Sequence, residues 1–131
     1  MHGELDRIDA EVGAWERKLA AGEPVALAPA LEVASGAALA LMRVYVAAQG
    51  GKPLPAADAD LLEAFKLLVK GDPSWNAIRD NLRELVYYRN CLALGRADAL
   101  PAVPEKMAIR LVRHLYLYVR TRCVKEGKIA A

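Results

Sequence analysis

The stretch VALAPALEVASGAALALMRVYVAAQ, residues 25–49, decides the fold class of this chain. It is apolar on almost every side of a helix, so we predict that other helices surround it. Glu32 and Arg43 leave ten uncharged residues between them, fewer than the roughly 18 that a membrane span requires. We therefore expect this segment to be the central core helix of a bundle, without a membrane partner.

The composition of the whole chain favours helices. Its 131 residues include 25 alanines and 19 leucines, which are strong helix formers, but only four isoleucines and one threonine for a sheet. A chain of this length forms one domain with a core of its own. Proline and glycine breaks divide it into helices near 4–21, 30–49, 56–70, 73–94 and 104–125. We predict an all-α, single-domain bundle of about five helices, with the second central and the last two antiparallel.

The inventory of reactive side chains is small: two histidines, two serines and two cysteines. Cys91 and Cys123 have no metal-site spacing and are typical of a reducing compartment, so we expect a cytoplasmic protein. His114 falls on the apolar side of the last helix, which predicts a core histidine. We assign no catalytic residue, metal ligand or cofactor, and the sequence favours a protein that is not an enzyme.

Two arginines interrupt apolar helix faces. Arg89, which follows Tyr88, projects from the apolar face of the fourth helix, and Arg43 interrupts the second. A buried arginine is costly unless it is paired, so each either meets a buried acid, such as Glu32 for Arg43, or faces a pocket or a partner. Arg89, Tyr88, Arg43 and His114 are therefore the candidate interface or pocket residues.

Charge is unevenly distributed along the chain. Residues 1–65 hold five basic and ten acidic side chains, whereas residues 66–131 hold thirteen and six. The two halves could neutralise each other inside one bundle, attract a second copy, or present a basic stripe to nucleic acid phosphates. That stripe consists of Lys106, Arg110, Arg113 and Arg120 on the last helix. A pI of 8.6 and the absence of a recognisable nucleic-acid-binding module argue against the third interpretation.

The function that these patterns favour is a non-enzymatic protein-interaction or regulatory module that forms a homodimer. The grounds are the charge polarity, surplus apolar surface and a coiled-coil-like spacing in the first helix at Leu5, Ile8, Val12, Trp15 and Leu19. Nucleic acid binding through the basic stripe is one alternative. A second is a small-molecule site inside the bundle, where Arg89, Tyr88 and His114 would converge.

Overall fold

The computed structural model describes all 131 residues and contains five α-helices and no strand. The helices are α1 (His2–Ala20), α2 (Leu27–Gln49), α3 (Leu61–Val69), α4 (Arg79–Ala93) and α5 (Pro104–Lys125), with 3-10 turns at Pro73–Ile78 and Ala97–Ala99. The predicted all-α, single-domain bundle is confirmed. Four of the five helices begin or end away from their predicted bounds, and the two largest differences have local causes.

The segment predicted as one helix over 73–94 begins with the 3-10 turn and becomes α-helical only at Arg79. Its start signal is as predicted: Asp72 is the N-cap, its side chain accepts a hydrogen bond from the backbone N–H of Ser74, and Pro73 occupies the first turn. The tighter winding aligns residues three apart, which directs Trp75 and Ile78 into the core together.

The third helix begins five residues later than predicted, at Leu61. Residues 57 and 58 form a turn instead, and Asp60, a favourable residue type for an N-cap, has extended backbone immediately before the helix. Pro55 is buried, and its carbonyl accepts a hydrogen bond from Nε of Arg43 at 2.8 Å. This contact secures the segment against α2.

Helix α2 is central, because it contacts each of the other four helices. The start of α1 lies beside the end of α2, so these two helices run antiparallel. Helices α4 and α5 are antiparallel as predicted: Trp75 packs on Tyr118, and further along Asn81 donates a hydrogen bond to the carbonyl of Leu111. Both native cysteines are buried free thiols.

One side of α2 is not covered, which corrects the prediction that helices surround it. Its inward side is buried along most of its length, from Ala30 to Val46, but Ala28, Glu32, Gly36 and Ala47 are exposed. By length and composition α2 could cross a membrane, and 56% of its most apolar window is buried against the bundle. The uncovered positions are mostly alanine and glycine, so each leaves little apolar area in water.

Candidate functional site

The uncovered side of α2 forms the floor of three adjoining surface grooves. The groove beside the start of α1 has a volume of about 520 Å³, the one beside the α3 entry about 350 Å³, and the one beside the end of α4 about 430 Å³. The last two share Glu32 and Arg89. We call the continuous surface the α2 groove; its floor is Ala28, Glu32, Gly36, Ala40, Arg43 and Ala47.

Five charged side chains of the α2 groove have no ion-pair partner within 4 Å: Arg7, Glu32, Arg43, Asp58 and Arg89. A sixth, Glu4, lies 3.0 Å from the amino group of Met1. The α2 groove therefore combines small apolar residues with five charges that no ion pair in the same chain neutralises.

A buried hydroxyl without a partner adjoins the α2 groove. Ser35 is 8% exposed and lines the wall next to Gly36, and its Oγ has no hydrogen-bond partner in the chain. Leaving a buried donor unsatisfied costs about 1–3 kcal/mol. Next to Ser35, Gly36 has open space around it, with no atom within 4 Å of an added Cβ.

The structure places Arg89 differently from the prediction. Arg89 is exposed at the edge of α4, whereas the buried face of that helix consists of Leu82, Leu85, Tyr88 and Cys91. Leu92, which the sequence suggested for the apolar face, is exposed, and the burial of Tyr88 and Cys91 rotates the centre of that face away from Arg89. Arg89 points to the α2 groove and Tyr88 belongs to the core.

His114 is exposed, so its assignment to the core was wrong. The buried positions of α5, such as Val112, Leu115 and Val119, centre on the opposite side of the helix. His114 instead follows Arg110 on the outer surface and precedes Leu117, one of the exposed large apolar side chains. Neither His114 nor Tyr88 lines any of the five principal grooves, so they do not converge with Arg89.

Arg43 does not pair with Glu32, the acid that the sequence suggested. Its Nε is bonded to the Pro55 carbonyl, and Glu32 is exposed on the same side of α2 almost three turns away. The guanidinium is half-buried and lines the α2 groove. Four of its five N–H donors have no partner in the chain.

The basic stripe of α5 is incomplete, because Arg113 is paired with α1. Its guanidinium lies 2.7 Å from Asp9 and 2.8 Å from Glu16, and 5.1 Å from the centre of the Tyr116 ring. These ion pairs join the acidic first half of the chain to its basic second half, so part of the charge asymmetry is neutralised inside one bundle. The other three stripe residues, Lys106, Arg110 and Arg120, have no ion-pair partner, and the first two are exposed.

The most densely bonded polar cluster of the chain surrounds Arg122 and was not predicted from the sequence. This guanidinium lies 2.8 Å from Asp72, 3.1 Å from Glu126 and 4.1 Å from the centre of the Trp75 ring. Tyr45 donates a hydrogen bond to Glu126, which connects the end of α2 to the end of α5. The spacing of Arg122 and Glu126 by one helical turn was the only sequence signal available.

The protonation equilibria of this cluster reflect its bonding. Hydrogen bonds from Ser74 and Arg122 lower the pKa of Asp72 to about 2. Burial, and then the hydrogen bond to Glu126, raise the pKa of Tyr45 to about 12. Each charge has a partner and none of the five principal grooves opens onto the cluster, so its role is to hold α2, α5 and the 3-10 turn together.

No group of three or more histidine, cysteine, aspartate or glutamate side chains is arranged to hold a metal ion. Comparison of the chain with protein-family models, curated proteins and solved structures returns no match. The candidate site therefore rests on geometry alone: the α2 groove combines an uncovered helix side, five charges without ion pairs and a buried hydroxyl without a hydrogen-bond partner.

Proposed function

We propose that the protein is a non-enzymatic interaction module that associates with a second copy of itself through the α2 groove. The observation that carries this proposal is the uncovered side of α2. The longest helix of the chain exposes alanine and glycine along about 30 Å of its length, from Ala28 to Ala48. The small residues and unpaired charges of the α2 groove suit the binding of a helix better than catalysis.

Small residues suit this purpose for two physical reasons. They allow two helix backbones to approach closely, which increases the number of van der Waals contacts between them. Alanine and glycine also lose almost no side-chain entropy when they are buried. Association would bury apolar surface. The unpaired charges of the α2 groove would then be able to form ion pairs with the second copy.

The first helix does not supply the interface that its spacing suggested. Leu5, Ile8 and Val12 are buried inside the bundle, and Trp15 and Leu19 pack against the same core. The apolar seam of α1 is thus already covered within one chain. We therefore assign the proposed contact surface to α2 instead of α1.

We expect the protein to sediment as a dimer at micromolar concentration and the Gly36→Trp variant to sediment as a monomer. A tryptophan at Gly36 has room in the isolated chain, where nothing lies within 4 Å of an added Cβ, but it would hold a second helix away. Thr121→Trp, on the exposed side of α5, is the matched control and should remain dimeric. A wild-type protein that is monomeric throughout the micromolar range would contradict the proposal.

Binding of a polyanion through α5 is a second candidate function, favoured by the unpaired Lys106 and Arg110. We expect Arg110→Glu to weaken the retention of a DNA duplex in a gel and to reduce its dependence on salt, because one phosphate contact is lost. Lys70→Glu, an exposed lysine at the end of α3, is the control and should change retention much less. Equal retention of all three proteins, or no retention at any salt concentration, would eliminate this candidate.

A further inference from the structure

We infer that the second copy lies antiparallel along the α2 groove, with Glu32 of each copy against Arg43 of the other. The twofold axis passes between Gly36 and Ala40. This inference rests on the proposed self-association and adds the orientation, the centre and the ion pairs of the interface.

The order of residues on the floor of the α2 groove indicates the orientation. From one end to the other it reads small, acidic, small, small, basic, small, at Ala28, Glu32, Gly36, Ala40, Arg43 and Ala47. Reversal of this order exchanges the acidic and the basic position and leaves the small positions in place. A twofold interface requires each surface to complement itself, and this one does so only when the two helices are antiparallel.

Residue spacing gives the register. Pairing Glu32 with Arg43 of the second copy also pairs Ala28 with Ala47 and sets Gly36 beside Ala40, because each pair has nearly the same midpoint along α2. A parallel arrangement in register would instead place Glu32 against Glu32 and Arg43 against Arg43. Like charges in contact are unfavourable, so charge selects the antiparallel arrangement.

The ends of the α2 groove extend the same complementarity. Arg7 and Glu4 lie at the end with Arg43, which has a net side-chain charge of +1, and Asp58 and Arg89 lie at the end with Glu32, which has a net charge of −1. In the antiparallel arrangement the net basic end of each copy meets the net acidic end of the other. Glu32, Arg43, Arg7 and Asp58 have no ion-pair partner in their own chain, so their pairing displaces no existing salt bridge.

Two other observations fit this arrangement. Leu54 is 49% exposed and lines the basic end, whereas Leu92 is 42% exposed and lines the acidic end, so antiparallel copies bring the two leucines to the same end of the interface. Ser35, whose buried Oγ has no hydrogen-bond partner, lines the α2 groove next to Gly36 and so lies close to the twofold axis. A lipid surface would leave the five groove charges unsatisfied.

The first test is a charge exchange. We expect Glu32→Lys and Arg43→Glu each to be monomeric alone, because each places like charges against each other twice, and an equimolar mixture to form a heterodimer in which both pairs attract. Sedimentation velocity measures all three samples beside the wild type. A wild-type dimer whose variants stay dimeric, or whose mixture stays monomeric although both variants are folded, would overturn the antiparallel arrangement and leave self-association standing.

The second test leaves Arg43 unchanged. This matters because Arg43→Glu in the first test also removes the hydrogen bond from Arg43 to the Pro55 carbonyl. Gly36→Cys and Ala40→Cys, mixed and mildly oxidised, should form a mixed disulfide faster than either variant links to itself. The native Cys91 and Cys123 are buried and do not compete. Faster self-linking of each variant indicates parallel helices and overturns the inference. If the protein is dimeric but neither variant forms a disulfide between copies, its interface lies elsewhere. If the wild type is monomeric and floats with anionic vesicles, both the self-association and the antiparallel arrangement are overturned.

Discussion

Trp75→Ala is expected to lower the free energy of unfolding by about 4 kcal/mol, the largest effect of any single substitution considered. Trp75 is fully buried, and its ring packs edge-to-face on Tyr45 and Tyr118 at centroid distances of 4.6 and 5.5 Å. Removal of this side chain leaves a cavity at the junction of α2, α5 and the 3-10 turn. Urea unfolding followed by circular dichroism measures the loss.

Two control variants separate the cavity from other effects of losing an indole ring. Trp15→Ala removes the half-buried tryptophan of α1 and should cost distinctly less. Trp75→Phe should also cost less than Trp75→Ala, because it keeps most of the volume and removes an Nε1 that has no hydrogen-bond partner. Equal losses for Trp75→Ala and Trp15→Ala would show that Trp75 is not central to the core.

Arg122→Met is expected to cost about 3 kcal/mol, because it leaves two carboxylates without their shared partner. The Arg122 side chain is only 17% exposed and pairs with both Asp72 and Glu126. Arg120→Met, on the same helix and without an ion pair, is the control and should change stability little. Thermal unfolding of both variants measures the difference, and similar melting temperatures would contradict the prediction.

The same cluster should make stability depend on acid pH. The folded-state pKa of Asp72 is about 2, below its unfolded value, so its stabilisation is present above about pH 4 and is lost as the pH falls towards 2. Arg122→Met should flatten this part of the pH profile, since the guanidinium is one of the two groups that lower this pKa. An unchanged profile would mean that other carboxylates cause the acid transition.

These two substitutions act on one unit, and their costs should not add. Arg122 stacks on Trp75 at 4.1 Å, so the loss of either side chain already removes their mutual contact. The double variant Trp75→Ala, Arg122→Met should therefore lose less stability than the sum of the single variants. This coupling would mean that the aromatic packing against α2 and the Arg122 ion pairs at the end of α5 stabilise the same part of the fold.

Much of the fold could be predicted because helix formation and helix ends depend on neighbouring residues. Pro104 and Gly127 bound α5 closely, and Asp72 and Pro73 begin the fourth segment as expected. The 3-10 turn could not be predicted, since the burial of Trp75 favours that winding over an α-helical start. The position of Arg89 was wrong for another reason: Tyr88 and Cys91 belong to the buried face of α4 and Leu92 does not.

The candidate site was predictable only in part. Arg43 and Arg89 were recognised as unusual because they interrupt apolar faces, and both line the α2 groove. Arg113 was assigned to the exposed stripe because its distance from Asp9, more than one hundred residues earlier, is not visible in the sequence. Arg122 was overlooked for the same reason, since Asp72 lies fifty residues away.

The sequence by itself determined the helix content, the breaks between helices and the presence of a strongly apolar second helix. These properties follow from the propensities and spacing of residues that are close together in the chain. Only the tertiary structure decided which side of α2 is uncovered and which arginines are neutralised. The physical reason is that burial and ion pairing depend on which helices approach each other, and α1 covers Arg113 while no helix covers Gly36.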